Sequence, residues 1–530
     1  MLKKLLKKIS SYPITFESWI LSVLGIIVVR IFLEQYSNNI PGHFVLIDTP
    51  TIIQYAASFI AILLLTIAPI LYFTKKTLQE VVSLTLFAFM IIWTAPIFDI
   101  ILSGGKGYNI HYIFLGARDL FFAFISEFWT TTPAGMTYGI RIEIALILIA
   151  SLGMIYIFTR SAWKTALGTI LIWASIFLVD CIPSFLGMFQ SKPIPSFIRD
   201  GIINSNIINN GSFSLDLGLS RQYDIGFDSL MSQVCVLIII IAVGLICTFG
   251  YRKKATILLR NARFDRILHY VLLVVVGVIF GGGKQFFLSW VNDLSLIITM
   301  VAFTSAWISA VCVNDIQDIG IDQISNKNRP LPEGSFTVNE FHSLSKIFFI
   351  FALLAAYAAS LYGLFFVILF SCVYYIYSTK PLLLKRHFIS GSLVVGIAST
   401  SAILSGFFLA FPSHELLSFS PLIALVTILF FGFSSMIKDL KDYDGDLTNN
   451  IKTLPVVIGF YKAKVLIALI VSVAMIGMSL YLGNKIIFIA SLITSVIVWV
   501  ILLKKTYKER SFYVTYLIYL IFCSAVILFS

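Results

Sequence analysis

The chain has 530 residues, of which 59% are hydrophobic and 12% charged, and its formal net charge is +12. A mean hydropathy of +0.95 excludes an ordinary soluble globular protein and leaves room for two membrane domains. The basic charge lies in short loops, not in a stretch interleaved with exposed aromatics, so it points to anionic lipid and away from nucleic acid.

Runs of about 20 apolar residues recur along the chain, each long enough to cross the hydrocarbon core as a helix. The short alternating segments of a membrane β-barrel are not seen. The expected fold is therefore all-α, a polytopic membrane helical bundle with about 15 transmembrane helices. A basic lead-in, Met1 to Lys8, comes first. Six spans follow, at roughly 17–35, 51–74, 80–103, 139–159, 163–187 and 229–250. A polar loop rich in Asn and Ser separates the last two. A basic connector occupies 251–267, running from Tyr251-Arg252-Lys253-Lys254 through Arg260, Arg263 and Arg266, as expected for a segment lying on the membrane surface. Nine more spans follow, at roughly 268–290, 293–313, 343–361, 363–378, 388–411, 417–437, 462–482, 485–503 and 512–529. The expected organisation is a six-helix membrane domain of unassigned role (1–250), the connector (251–267) and a nine-helix domain (268–530).

Charge gives the expected orientation. With these spans, the N-terminus and the loops on its side hold 28 Lys and Arg, and the opposite loops hold 6. The positive-inside rule then places the N-terminus in the cytoplasm and the protein in the cell membrane. The six cysteines (Cys181, Cys235, Cys247, Cys312, Cys372, Cys523) lack paired metal-type spacing. Arg30, Asp99, Arg141, Glu143 and Asp180 fall within or beside early spans, where mutual pairing or snorkelling would accommodate them. Gly281-Gly282-Gly283-Lys284 lacks the spacing of a phosphate loop and reads as close helix packing.

The chemistry lies in two acidic motifs of identical spacing, Asp315, Asp318, Asp322 and Asp439, Asp442, Asp446. Positions i, i+3 and i+7 place three acids on one face of a helix. Both motifs end a long apolar segment, and both are expected on the cytoplasmic side, together with the basic loop Lys380 to Arg386. Acids at a membrane boundary are costly and mark a functional site by default. Two clusters suggest a pair of divalent cations bridging to a phosphorylated substrate, because magnesium prefers hard oxygen ligands and shares them with phosphate. Arg329, Lys380, Lys385, Arg386, Lys438 and Lys441 are candidates to meet the remaining phosphate charge. A cation-coupled transporter is the rival from another class. It would set its carboxylates near the bilayer midplane beside broken helices, whereas these are expected at helix ends.

The first motif reads Asn314-Asp315-Ile316-Gln317-Asp318-Ile319-Gly320-Ile321-Asp322, with Asn328-Arg329-Pro330-Leu331-Pro332-Glu333-Gly334 downstream. The second reads Lys438-Asp439-Leu440-Lys441-Asp442-Tyr443-Asp444-Gly445-Asp446 and is followed by Lys452-Thr453-Leu454-Pro455. With the Tyr377-Ser378 to Lys385-Arg386 loop, these elements resemble the UbiA superfamily of intramembrane prenyltransferases over about 268–530. They look most like the digeranylgeranylglyceryl phosphate synthase branch. Ser434-Ser435 and Gly391-Ser392 stand where that branch often carries Arg-Glu and Gly-Asn. The resemblance implies magnesium-dependent transfer of a prenyl group from a prenyl diphosphate to a lipophilic acceptor. Geranylgeranylglyceryl phosphate, an ether lipid precursor, is the favoured acceptor, and an aromatic quinone precursor is the alternative. It implies Mg2+ on Asp315, Asp318, Asp439 and Asp442, with Asp322 and Asp446 supporting them. It also implies Asn314 and Tyr377 at the substrate, with Tyr374, Tyr375 and Tyr377 as candidates to face a carbocation.

Overall fold

The computed structural model of the protein describes residues 2–37, 49–104, 112–126, 136–210, 219–411, 416–441, 443, 447, 452–504 and 509–529. Among the described residues, fifteen helices are long and apolar enough to cross a membrane. Six lie in the first half: α1 (Phe16–Tyr36), α2 (Thr49–Thr74), α3 (Leu78–Leu102), α4 (Tyr138–Thr159), α5 (Ala162–Asp180) and α6 (Gln222–Gly250). Nine follow: α7 (Phe264–Phe286), α8 (Trp290–Gln317), α9 (Val338–Ala359), α10 (Leu361–Ser378), α11 (Ile389–Ala410), α12 (Pro421–Leu440), α13 (Phe460–Leu482), α14 (Lys485–Leu503) and α15 (Glu509–Phe529). Outward faces are apolar at helical spacing. On α14, Ile489, Ile493, Val496 and Val500 are each more than half exposed, a stripe that water would penalise and lipid accepts. The protein is an integral membrane protein.

Element ends follow local chemistry. The run expected at 163–187 ends as a span at Asp180, and a separate short helix, Ile182–Gly187, starts with Pro183 in its first turn, where proline lacks no needed donor. The connector forms a helix at Arg252–Asn261. Arg263 then turns the chain with a left-handed φ of 55°, so α7 starts a turn earlier than its apolar run suggests. α9 opens on a reciprocal cap between Thr337 and Glu340.

The chain divides into two compact units, Met1–Asn204 with Asp216–Thr256, and Ser205–Leu215 with Ile257–Ser530. The first unit packs α2 along α6 and α4 against α5. Its core holds Ile27, Ile67, Ile70, Ile155 and Ile172. Inside it, the Arg30 guanidinium meets Glu34 at 3.3 Å and Glu143 at 2.8 Å and donates to the Ile92 carbonyl. In the second unit α8 packs along α9, α7 against α11, and α11 against α12.

Glycine permits the closest of these approaches. A Cβ on Gly277 would lie 1.9 Å from the Ile403 carbonyl oxygen, and one on Gly406 would lie 2.0 Å from that of Val274. Gly281 likewise faces the Phe407 carbonyl at 2.5 Å, so this glycine run serves helix packing. Such contact maximises dispersion between helices that lipid does not drive together. Gly406→Ala is expected to force α7 and α11 apart and to destabilise the unit by about 1–3 kcal/mol. Gly477→Ala, where nothing lies within 4 Å of the added carbon, should leave thermal unfolding in detergent unchanged or slightly raised.

Candidate active site

The spacing of Asp315, Asp318 and Asp322 predicts a single continuous helical face, and the structure departs from it. α8 stops at Gln317, Asp318 caps it with φ −95° and ψ 5°, and a second helix runs Ile319–Ser325. Asp and Gly are weak helix formers, and Gly320 follows the break. Convergence survives because two flanking segments bring cations to the acids.

The first segment is the loop after the motif. Leu331 and Phe336 are buried with Cys312 and Phe341 in one apolar cluster, which pins the loop against α8 and α9. Arg329 is thereby set between two carboxylates. Its Nη1 lies 3.1 Å from Asp315 Oδ1 and 2.6 Å from Asp322 Oδ2. The second segment is the turn before α7. There Asn261 donates to Asp315 Oδ2 at 2.8 Å and Arg263 to Asp315 Oδ1 at 2.9 Å. The Trp307 indole holds that turn by donating to the Ala262 carbonyl at 3.1 Å. Asp315 thus receives three donors while almost fully buried, at 2% exposure. Burial holds the Asp322 carboxyl above the ordinary range, against the opposing pull of Arg329. Burial likewise lowers the Arg263 guanidinium, opposed by Asp315.

The basic loop completes the cluster. Lys385, in the short helical turn Leu384–Arg386, places its ammonium 2.5 Å from Asp318 Oδ1 and 3.1 Å from Asn314 Oδ1. Asn314 also donates to Asp318 at 2.8 Å and accepts from Ser378 at 3.2 Å. Next to Ser378, Tyr377 accepts from Lys438 at 2.5 Å, and the Lys438 ammonium lies 4.9 Å from the Tyr377 ring centre. The foot of α10 therefore bridges the first motif to the start of the second, where Asp439 is also buried. The His387 backbone pairs with that of Lys452, tying the basic loop to the segment after the second motif.

Next to the charged groups lies a packed aromatic cluster. Tyr374 packs against Tyr270, Trp307, Phe370 and Tyr377, with ring centres 4.9–6.2 Å apart, and the Tyr270 and Tyr374 hydroxyls are hydrogen-bonded to each other. Tyr375, one residue on, is 59% exposed and points away, as the helical turn requires.

The structure brings together Asp315, Asp318, Asp322, Asn314, Arg329, Lys385, Tyr377 and Lys438, with Asp439 beside them. Lys380 and Arg386 are exposed and join none of these contacts. Asp442, Asp446 and the side chain of Lys441 lie outside the described residues. Sequence reasoning missed Asn261, Arg263, Tyr270, Trp307 and Ser378. The first two were hidden in a connector whose other cations suit the membrane surface.

Fold and site together define a helical membrane protein whose second unit gathers acids and cations at helix ends over an aromatic interior. Residues 269–522 match the UbiA prenyltransferase family. The second unit is therefore a UbiA-family domain, and the chain is an enzyme that transfers prenyl groups. The digeranylgeranylglyceryl phosphate synthase of Sulfurisphaera tokodaii is 25% identical over 256 residues, 46% of this chain and 90% of that protein. The enzyme of the same name from Saccharolobus solfataricus is 29% identical over 244 residues, 44% of this chain and 82% of that one. A solved UbiA homologue from Archaeoglobus fulgidus, bound to DMAPP and Mg2+, aligns with a TM-score of 0.40 and 16% identity, covering 51% of this chain and 98% of that chain.

Proposed function

We propose that the second unit transfers a prenyl group from a prenyl diphosphate to geranylgeranylglyceryl phosphate, in magnesium-dependent synthesis of an ether-linked membrane lipid. The observation that carries this reading is the set of cations already resting on the acidic motif: Arg263, Arg329 and Lys385 on Asp315, Asp318 and Asp322. Each can turn to phosphate oxygens without leaving the cluster. The names of the relatives, digeranylgeranylglyceryl phosphate synthases, suggest the acceptor.

The donor set suits magnesium in kind, being carboxylate and amide oxygens. Among the described residues no three acids, histidines or cysteines converge on one point, since cations stand between them. Magnesium held by Asp315, Asp318, Asp439 and Asp442 would supply charge neutralisation for the departing diphosphate. The protein's own part is electrostatic and positional. Arg263, Arg329, Lys385 and Lys438 hold the diphosphate while the allylic C–O bond breaks and its electron pair leaves with the phosphate oxygen. Tyr374 and Tyr377 present π-faces to the allylic carbon as it turns cationic. The aromatic walls exclude water, which would otherwise capture the cation. The acceptor hydroxyl then forms the new C–O bond and passes its proton to the released diphosphate, the base nearest the reacting carbon.

In this reading both motifs and the N-terminus face the cytoplasm, on the strength of the loop charges. The unit covering 1–250 is a separate membrane module. The test is transfer of label from radiolabelled geranylgeranyl diphosphate by the full chain in detergent, with magnesium and a panel of acceptors. Label in the product with geranylgeranylglyceryl phosphate, lost on chelation, is the expected result. Preferential labelling of an aromatic quinone precursor would replace the acceptor. Transfer to none of the panel would sink the reading.

A further inference from the structure

His269 is a buried polar residue that the reaction described above does not use. It stands on α7, one turn beyond Arg266, and touches α11, α12 and α15. Its Nε2 lies 3.1 Å from Ser399 Oγ, and its Nδ1 lies 3.1 Å from the Tyr516 hydroxyl. Ser399 gives its own proton to the Val395 carbonyl at 2.9 Å, so toward the ring its oxygen accepts. Nε2 therefore carries the imidazole proton, and Nδ1 accepts from Tyr516. The opposite tautomer would leave the buried Tyr516 O–H with no acceptor among the described residues, which is costly. In the first tautomer every member of the chain is satisfied, and such a network rigidifies what it joins.

The same side of α7 holds the start of α15. Glu509, Tyr513 and Tyr516 follow at i, i+4 and i+7, one face of a helix. Arg266 Nη2 lies 2.8 Å from Glu509 Oε1, and its guanidinium carbon lies 4.0 Å from the Tyr513 ring centre. Further along, an apolar cavity of about 110 Å³ borders both helices, at Leu273 and Val276 of α7 and Tyr519 and Leu520 of α15. The polar ties of the first two turns therefore carry much of the grip of α15 on α7. Tyr270, the next residue after His269, points a different way. Its hydroxyl is bonded to that of Tyr374, and its ring packs on Trp307 and Phe370 at 5.4 and 4.9 Å between centres. Neighbouring residues on a helix project about 100° apart. Ties in both directions fix the rotation of α7 about its axis.

We propose that His269 is a positioning residue for prenyl transfer. Held between Ser399 and Tyr516, it sets the rotation of α7 that keeps Tyr270 in the aromatic cluster and so keeps water from the allylic carbon. This role rests on the proposed placement of that carbon beside the aromatic cluster, and on no particular acceptor. With the ties cut, water takes the place of the acceptor. The allylic C–O bond breaks with its electron pair on the diphosphate, the water oxygen bonds to carbon, and a water proton passes to the diphosphate. The product is the free prenyl alcohol.

The test uses the full chain in detergent with magnesium and radiolabelled geranylgeranyl diphosphate, first without acceptor, and counts labelled geranylgeraniol per mole of monodisperse protein. His269→Phe keeps a ring and removes both nitrogens. It is expected to release the alcohol about tenfold faster than the unmodified chain. Tyr516→Phe removes a single oxygen and is expected to give about threefold. The double variant should be no faster than His269→Phe, because the tie is already lost. With an acceptor present, the ratio of alcohol to prenylated product should rise in the same order. Misfolding lowers every rate and leaves that ratio unmoved, so a gain of hydrolysis reports position and not fold. Alcohol release within about twofold of the unmodified chain, or below it, in both single variants overturns the role of His269. Failure of the unmodified chain to label any acceptor of the panel is a separate result. It sinks the transfer reading, while the hydrolysis comparison is still read.

Discussion

Asp315→Ala is expected to lower kcat/KM for prenyl transfer by about 10³-fold, roughly 4 kcal/mol of transition-state stabilisation. The carboxylate is 2% exposed and collects Asn261, Arg263 and Arg329. Removing it takes away a proposed metal ligand and frees three donors from their common anchor. Radiolabel transfer, measured beside a gel-filtration profile of the same preparation, separates lost chemistry from lost fold. Asp315→Asn keeps the shape and one acceptor oxygen but not the charge, so it should recover little. Activity of either variant within threefold of the unmodified enzyme would remove Asp315 from the machinery.

Arg329→Ala should cost about 10²-fold in the same assay. One guanidinium nitrogen serves both Asp315 and Asp322, so its loss leaves two buried acids facing each other. The accompanying loss of stability is expected to be modest, about 1–2 kcal/mol, because Arg329 is itself 26% exposed and water screens part of the interaction. Arg329→Lys is the discriminating variant. An ammonium restores the charge but not the planar fork, so it should regain stability while leaving most of the activity deficit. Full recovery by lysine would reduce the role of Arg329 to charge balance.

What was legible in the chain was what periodicity and spacing encode. Span-length apolar runs are nearly independent of tertiary context, because a bilayer forces each segment to satisfy its own backbone. Their ends moved by a few residues where capping decided them, as at Thr337 and Pro183. Paired acids stood out because charge is rare in so apolar a sequence. The break at Asp318 was not legible, because a spacing of three and four residues suits one helix or two short ones equally well. Tyr374 and Tyr375 were indistinguishable as neighbours in sequence; a rotation of about 100° along the helix separates them, one into the aromatic cluster and one outward. Asn261 and Arg263 were hidden for a different reason. Their partner Asp315 lies more than fifty residues away, and the Trp307 contact with Ala262, with Ile257 and Leu258 packed on the Cys312 cluster, holds that turn over it.

Arg30 and Glu34 lie one helical turn apart in α1, so their contact can form as soon as that helix does, before the later spans are made. A lone arginine at such depth costs roughly 2.5–3.5 kcal/mol on insertion scales, and a carboxylate on the same face offsets part of that. The α1 segment can therefore enter the bilayer with its arginine already partnered. Glu143 belongs to the fourth span and has no such companion until α4 docks on its neighbours. Its partnering with Arg30 would then be a late event in biogenesis, one that rewards the correct assembly of the first unit after its helices are already in the bilayer.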